Sequence, residues 1–208
     1  MKADFNEKQI EILQVAENLF GDKGFEGTSI RTIAKEAKIN VAMVSYYFGS
    51  KEKLLQALVY YRTKDLGFEI ENISIETIEP MEKINRMIAL YINKINCNKG
   101  IYRILHFEVT SSKTDLKMQV LDDIRMKNLI SLTAIIEEGQ SKGIFRKDII
   151  IPLITPTILG TFFHFYMNKD YFQNLLNLKT EKAFEDYITT SLTQHIQQTI
   201  KALLIYEN

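Results

Sequence analysis

Small and hydrogen-bonding side chains recur at helical spacing in the stretch from Asn40 to Gly49. Asn40 can cap a helix by accepting a bond from an N–H group of the next turn, and Gly49 is a typical helix end. Val44 and Phe48 lie four apart and share one face, which predicts that this face is buried. The remaining surface carries small or polar side chains, namely Val41, Ala42, Ser45 and Tyr46. A short helix with such an outer surface can enter a DNA major groove and contact base edges.

A second short helix is predicted immediately before this one. Thr28 can act as its N-cap, and apolar residues follow at the spacing of one helix face: Ile30, Ile33, Ala34 and Ala37. The pattern ends near Lys38, so a turn of about three residues joins the two helices. Two short helices with so tight a turn form a helix-turn-helix, whose second helix lies in the major groove.

These residues resemble the N-terminal domain of the TetR family of transcriptional regulators. The resemblance covers residues 8 to about 60 without gaps and is carried by Gly24–Ala34, Lys38–Lys51 and the following Glu52-Lys53-Leu54-Leu55. The family usually has Gly at position 38 and often Tyr at position 45, where this chain has Lys38 and Ser45. These two departures bear on the DNA sequence of the operator and not on DNA binding itself. The C-terminal half resembles the family only in length and helical character, so no ligand is carried over from it.

We expect two kinds of DNA contact from this head. Bases are expected to meet Val41, Ala42, Ser45 and Tyr46. Phosphates, which position the protein without reading sequence, are expected to meet Thr28, Ser29, Tyr47 and Lys51. Arg31 could contact either group, and Asn40 begins the reading helix. In the alternative arrangement Tyr46 packs beneath the head and Tyr47 alone faces DNA.

The charge distribution agrees with a phosphate-binding surface. The chain has 26 basic and 26 acidic residues, yet positions 28–64 contain seven Lys/Arg and two acids. A local excess of basic residues is the electrostatic footprint of nucleic-acid binding. On charge alone, an ordinary solvated helix face is the better interpretation, and the helix-turn-helix beneath it favours DNA.

The composition predicts a globular protein without disulfides. A hydrophobic content of 46% over 208 residues is enough for a sizeable core, and the lone Cys97 excludes an internal disulfide. No apolar run reaches the roughly 18 residues of a membrane span, and no apolar signal region follows Met1. We therefore expect a soluble, cytoplasmic protein with no membrane partner.

The apolar pattern predicts an all-α fold of about nine helices, with no strand-like alternation. The expected organisation is a DNA-binding helix-turn-helix domain over 1–50, a connecting helix over 51–75 and a ligand-binding and dimerisation domain over 76–208. Asn72–Glu79 and Asp170–Lys179 are expected to be connections. A long helix is expected from Asp115 to about Glu138.

Two wide apolar faces, in 152–167 and 180–204, predict a homodimer. A two-helix surface that meets its two-fold copy forms a four-helix bundle, which closes as a dimer. The expected interface residues lie on the last helix and are Phe184, Tyr187, Ile188, Leu192 and Ile196. Burial of both stripes within one subunit is the alternative.

The family resemblance implies a ligand pocket among the fourth to eighth helices of each subunit. The candidate lining residues are Met87, Tyr91, Tyr102, His106, Phe107, Phe162, Phe163 and Tyr166, with a polar contact from His106, Asn93 or Arg103. Each of these residues alone is more typical of ordinary core. Together they predict a small, mainly apolar or aromatic effector.

An enzyme is the rival class, and the sequence offers little for it. His106 and Glu108 alternate along a helix and so do not share a face. No metal-binding spacing, Gly-rich phosphate loop or nucleophile motif occurs, so we expect no catalytic residue, cofactor or metal. A DNA-binding structural protein without an effector is a further alternative, which effector titration would separate from a ligand-responsive repressor.

Overall fold

The computed structural model describes residues 5–110 and 119–205, and these ranges contain helices and turns but no strand. The helices are α1 (Glu7–Lys23), α2 (Ile30–Glu36), α3 (Val41–Phe48), α4 (Lys51–Ile75), α5 (Pro80–Cys97), α6 (Lys99–Thr110), α7 (Gln119–Ser141), α8 (Ile154–Met167), α9 (Lys169–Leu175), α10 (Glu181–Tyr187) and α11 (Thr193–Leu204). A 3₁₀ turn, Ile151–Leu153, precedes α8. The all-α prediction is confirmed.

Local capping signals explain why several helices begin where they do. α1 begins with a capping box, because the Gln9 N–H donates to Asn6 Oδ1 at 2.9 Å and the Asn6 N–H donates to Gln9 Oε1 at 3.0 Å. Ser50 and Thr180 each accept a bond from the N–H three residues later, at 3.2 Å and 3.1 Å. Pro80 is the first residue of α5, where its missing N–H has no helical partner to lose.

Two of the predicted connections are partly helical, so their boundaries were wrong. α4 continues to Ile75, with Ile73 buried on its added length, which leaves only 76–79 as a connection. α9 occupies much of the connection expected after Asp170, where Phe172 stacks on Phe165 with ring centroids 4.6 Å apart. Burial of these apolar side chains outweighs the weak helix propensity of the polar residues between them.

The long seventh helix is described from Gln119 and ends at Ser141, three residues beyond the expected end. Its expected start at Asp115 falls in 111–118, outside the described residues. Gly139 in its last turns is required by close packing, since a Cβ there would lie 2.1 Å from the Phe145 ring. The glycine therefore lets the chain after α7 fold back onto the helix.

The last helix contains a π-helical segment, Ile188–Leu192, that joins α10 to α11 without a break. The Thr193 hydroxyl donates to the Ile188 carbonyl at 2.8 Å, five residues earlier. This segment was not predicted, although the buried residues from Phe184 to Leu204 recur every four positions, a spacing wider than the 3.6-residue period of a regular α-helix. Such segments are rare and are frequent at functional sites.

Packing divides the described residues into two compact units. The first unit comprises residues up to Asp65 together with Cys97–Ile124, and the second comprises Leu66–Asn96 with Arg125–Asn208. α6 belongs with the first unit because it packs against α1. α4 contributes residues to both units. The division predicted from the sequence, at 1–50, 51–75 and 76–208, is a division into functional domains, and it stays a prediction.

A buried cation is paired inside the second unit. Lys83 on α5 is almost fully buried, and its Nζ donates to the Ser74 carbonyl at 2.9 Å and to Glu138 Oε2 at 2.6 Å. The hydrogen bond from Lys142, followed by the one from Lys83, lowers the pKa of the Glu138 carboxyl. The contact ties the end of α4 to α5 and α7.

The turn between α2 and α3 has the geometry of a Schellman motif. The Lys38 N–H donates to the Lys35 carbonyl at 3.1 Å and the Ile39 N–H donates to the Ala34 carbonyl at 3.0 Å. Lys38 has a φ of 53°, in the left-handed region that glycine adopts without steric cost. Lys38 thus stands, with some backbone strain, at the position where the resembling family usually has glycine.

Replacing Lys38 with glycine should raise the free energy of unfolding by about 0.5–1 kcal/mol. The gain comes from removing the Cβ clash of a left-handed residue, and the greater freedom of glycine in the unfolded chain offsets part of it. Urea unfolding measures the change. Lys38→Ala is the control, since it removes the same charge and keeps the Cβ. An equal gain in both variants would show that charge, not φ, sets the stability.

Candidate nucleic-acid interface

α3 is fixed in the first unit by its inner face. Val44 and Phe48 are buried in the core cluster that also contains Phe25 and Leu54, which confirms the predicted orientation. Asn40 caps the helix as predicted, with its Oδ1 accepting from the Ala42 N–H at 2.8 Å. A helix of eight residues is too short to be stable alone, so this burial holds it in place.

The outer face of α3 is open to solvent. Tyr46 is 84% exposed, and Val41, Ala42 and Ser45 are exposed beside it. The alternative arrangement, with Tyr46 beneath the head, is therefore wrong. Tyr47 is half-buried against the core cluster and lies edge-on to Tyr46, with ring centroids 5.4 Å apart. The structure thus presents the four predicted base-contacting side chains on one exposed surface.

Thr28 is neither the N-cap of α2 nor exposed, although the sequence predicted it as the cap and as a phosphate contact. Its side chain is 1% exposed, and its hydroxyl lies 2.9 Å from the Gly24 carbonyl and 3.1 Å from the Leu19 carbonyl. Ser29 caps α2 instead, by accepting from the Thr32 N–H at 3.1 Å. The predicted N-cap was one residue too early, because Thr28 and Ser29 are adjacent and both hydroxyl residues favour the N-cap position. A phosphate contact through the Thr28 side chain is contradicted by its burial.

Lys51 is held at the start of α4 by the first unit itself. Its Nζ donates to the Phe25 carbonyl at 3.0 Å and lies 4.2 Å above the centre of the Phe25 ring. An ammonium group has three donors, so one intramolecular bond leaves others for a phosphate. Lys51 is therefore a positioned charge with a structural role as well as a candidate phosphate contact.

One of the basic residues in the predicted phosphate surface is neutralised. The Arg62 guanidinium donates from Nε and Nη2 to Glu17 Oε2, at 2.8 Å and 2.5 Å, and ties α4 to α1. Glu17 is almost fully buried, so this cation is committed to the fold. The exposed cations around α2 and α3 are Arg31, Lys35, Lys38 and Lys53. They give this surface a positive charge excess over the exposed Glu36 and Glu52.

The predicted ligand-pocket residues do not all lie in one unit. In the second unit Met87, Tyr91 and Phe162 are buried, while Phe163 and Tyr166 are half-buried. Tyr102 belongs to the first unit, and burial raises the pKa of its hydroxyl to about 12. The side chains of His106 and Phe107 fall outside the described part of the structure. A common pocket for these residues stays a prediction.

The predicted dimer interface is wrong for four of its five residues. Phe184, Ile188, Leu192 and Ile196 are buried within the chain itself. Tyr187 is half-buried and stacks on Phe165, with ring centroids 5.5 Å apart. An apolar stripe on a helix has the same spacing whether it meets a core or a partner, so the sequence could not separate the two.

A hollow of about 580 Å³ lies on the second unit, where α8, α9 and the last helix meet. Its apolar lining is formed by Phe165, Phe172, Leu175, Leu176, Tyr187 and Leu192. The hollow was not predicted from the sequence, because three of these residues lie in the segment that was expected to be a connection, Asp170–Lys179. Aromatic and leucine residues spaced four apart in that segment were the available signal.

Within residues 5–110 and 119–205, no group of three or more His, Cys, Asp or Glu side chains is placed to hold a metal ion. None of the helices in those ranges has the length and apolar character needed to cross a bilayer.

Comparison with known families gives two matching segments. Residues 12–58 match the family described as bacterial regulatory proteins, tetR family. Residues 80–200 match the tetracyclin repressor-like C-terminal domain. Together these segments cover both the helix-turn-helix and most of the remaining helices.

Individual relatives are regulators. The chain is 32% identical over 145 residues to the probable HTH-type transcriptional regulator YttP of Bacillus subtilis, which covers 69% of this chain and 68% of that protein. It is 29% identical over 189 residues to the HTH-type transcriptional repressor NicS of Pseudomonas putida, covering 86% and 85%. Among solved structures, FadR of Bacillus subtilis in complex with stearoyl-CoA superposes with a TM-score of 0.71 at 19% identity, covering 90% of this chain and 96% of that one. That likeness shows a shared fold.

Replacing Tyr46 with alanine should leave thermal stability nearly unchanged, because the side chain is exposed. Affinity for a specifically bound duplex should fall by roughly 1–3 kcal/mol, the usual size of a base contact. Non-specific affinity should fall far less. Tyr46→Phe separates the ring from the hydroxyl as a matched control. Equal losses on specific and unrelated duplexes would contradict base reading by Tyr46.

Replacing Lys51 with alanine should weaken binding to all DNA sequences alike and reduce the salt dependence by about one unit of slope. Stability should also fall, by about 1 kcal/mol, since the bond to the Phe25 carbonyl is lost. Binding titrations at several salt concentrations measure the slope. Lys23→Ala, an exposed lysine outside the expected contact set, is the control. If the salt dependence of binding has the same slope in the Lys51→Ala variant, Lys51 makes no phosphate contact and has only a structural role.

Proposed function

The chain belongs to the TetR family of bacterial regulatory proteins, and we propose from this premise how it recognises and releases DNA. It is a DNA-binding transcriptional regulator rather than an enzyme. The proposal is a repressor whose homodimer binds a palindromic operator and leaves it when a small effector binds.

The exposed outer face of α3 is the observation that carries the proposal. The buried Val44 and Phe48 orient the helix so that Tyr46 and Ser45 point away from the core. Base reading is assigned to Val41, Ala42, Ser45 and Tyr46. Phosphate contacts are assigned to Ser29, Tyr47 and Lys51, with Arg31 able to reach either group. The exposed lysines beside them favour approach of the polyanion.

Two copies of α3 are needed because one short helix contacts too few bases to select a site. A two-fold dimer would place the copies in successive major grooves, about 34–36 Å apart. Family members of this type dimerise, which supports a homodimer here. The surface available for it is the exposed side of α8 and the last helix, including Gly160, His164 and His195. This surface replaces the buried stripe expected from the sequence.

The effector is proposed to be small and mainly apolar or aromatic. Met87, Tyr91 and Phe162 supply buried apolar surface in the second unit. Within the described residues, the Asn128 Oδ1 on α7 is buried without a hydrogen-bond partner, so an effector that carries an N–H or O–H could satisfy it. The FadR structure was solved with stearoyl-CoA, an acyl chain on a polar carrier, which is consistent with an apolar ligand class.

Effector binding would be coupled to DNA release by α4, because this one helix contributes residues to both compact units. An effector that favours a different position of α4 in the second unit would also shift the start of the helix, beside α3 in sequence. Such a ligand must bind the non-binding conformation more tightly, since equal affinity for both states shifts nothing. The proposed location is the bacterial cytoplasm, where operator DNA lies.

A mobility-shift assay with duplex from the gene's own upstream region tests the proposal. Binding should be at least about 1,000-fold tighter than to a shuffled duplex of equal length, the lower end of typical specific recognition. Adding stearoyl-CoA or free aromatic acids to the complex then tests for release. Binding that does not distinguish the duplexes would contradict operator recognition. Specific binding that no added ligand weakens would favour an effector-independent DNA-binding protein.

A further inference from the structure

The turn between α2 and α3 holds a lysine in a backbone conformation that favours glycine. Lys38 has a φ of 53° and is exposed to solvent. In this left-handed region the Cβ of an L residue crowds the following carbonyl oxygen, and glycine avoids the contact. Within the described residues, the other non-glycine residue with a positive φ is Asn177, and asparagine tolerates this conformation. Lys38 therefore keeps its side chain against the preference of its backbone.

The Lys38 side chain takes no part in the described fold. Backbone groups close the turn, since the Lys38 N–H donates to the Lys35 carbonyl and the Ile39 N–H donates to the Ala34 carbonyl. Within the described residues, the Lys38 ammonium makes no hydrogen bond or ion pair, although the exposed acid Glu36 is two residues away. A glycine would close this turn with less strain, so the fold does not explain the lysine.

Other cations of the same unit are bound within the chain. The Arg62 guanidinium donates to Glu17 Oε2, and Lys51 Nζ donates to the Phe25 carbonyl at 3.0 Å. Lys38 instead presents all three donors of its ammonium group to solvent. Residues held in strained backbone conformations cluster at ligand-binding sites and switch regions. Strain, exposure and an unpaired charge at one position indicate that Lys38 binds a partner outside the chain.

The position of the turn indicates which partner this charge meets. In a helix-turn-helix on DNA, the first helix crosses the phosphate backbone and the N-terminal residues of the second contact base edges. The turn that joins them therefore passes beside the backbone. Lys38 is two residues before Asn40, the N-cap of α3, and so lies within about 7 Å of that helix end. A lysine ammonium on its flexible stem binds phosphate as a point charge.

We propose that Lys38 binds a backbone phosphate at the edge of each operator half-site. The inference rests on the DNA-binding function proposed above and adds a contact from the turn to those assigned to the helices. Because a phosphate contact carries no base information, Lys38 positions α3 in the groove and raises the affinity for every DNA sequence. The same residue lowers the stability of the turn and strengthens DNA binding.

Binding titrations at several salt concentrations test the contact, with a duplex that the unmodified chain selects from a random pool. For each half-site bound, Lys38→Ala should weaken binding roughly five- to ten-fold at about 0.1 M salt and reduce the slope of log K against log salt by about 0.9. Lys38→Arg keeps the charge and should bind like the unmodified chain. Lys179→Ala removes an exposed lysine of the second unit and, as the matched control, should change neither value.

Lys38→Gly separates a DNA contact from a purely structural role. Relief of the strained backbone should shift urea unfolding to higher concentration, while DNA binding weakens as much as it does in Lys38→Ala. A residue with only a structural role would not change stability and DNA affinity in opposite directions. Asn177→Gly is the control, because it changes the other positive-φ residue, in the second unit, and should leave DNA affinity unchanged. A Lys38→Gly protein that binds DNA as tightly as the unmodified chain overturns the proposal.

Duplexes with a single neutral methylphosphonate linkage identify the phosphate. Each linkage of one half-site is replaced in turn, and both proteins are titrated with every duplex. At the contacted linkage the unmodified chain should lose affinity, whereas Lys38→Ala should lose little beyond its existing deficit, because its partner charge is already absent. If both proteins respond alike at every linkage, Lys38 makes no phosphate contact.

The outcomes separate this inference from the proposed function. If the unmodified chain binds its selected duplex and Lys38→Ala keeps the same affinity and slope, the contact is overturned and the repressor stands. An unmodified chain that binds no duplex specifically overturns both. A loss in Lys38→Ala that Lys38→Arg does not restore shows that the side chain acts through the fold, and this also overturns the contact.

Discussion

Burial of Val44 and Phe48 is the constraint on which the DNA-binding face depends. α3 has eight residues and would not persist alone, so its orientation is set by the core that these two side chains enter. Once they are buried, helical geometry leaves Tyr46 and Ser45 outside. The same core includes Phe25, whose carbonyl holds the Lys51 ammonium. One packing arrangement thus positions both the candidate base-reading surface and a candidate phosphate contact.

Several charged and polar groups in this protein serve the fold where the sequence suggested a surface role. Arg62 is committed to Glu17, the Thr28 hydroxyl faces two backbone carbonyls, and part of the Lys51 ammonium is bound to Phe25. Pairing these groups is favoured, because leaving a buried ionic or polar group unpaired costs more free energy than the pair contributes. The positive surface for DNA therefore rests on fewer cations than a count along the chain indicates.

Rules that depend only on neighbouring residues gave correct predictions from the sequence. They failed where packing between residues that are distant in the sequence decides the structure. The caps at Asn6, Asn40, Ser50 and Thr180 and the orientation of α3 follow from spacing within one or two turns. The hydroxyl that caps α2 could not be chosen locally, because Thr28 and Ser29 are adjacent and only burial distinguishes them. The apolar stripe of the last helix, assigned to a partner, packs inside the chain. α9 was missed because its helix is stabilised by contacts such as Phe172 with Phe165.

Selection of bound duplexes from a random pool tests the central claim most directly, namely that α3 reads DNA from a two-fold dimer. The account predicts enrichment of a palindromic sequence whose half-sites lie about one helical turn apart, near 34–36 Å between centres. The same selection with the Tyr46→Ala protein should enrich sequences with relaxed preference inside each half-site and unchanged spacing. An enriched sequence with a single half-site, or no enrichment at all, would contradict it.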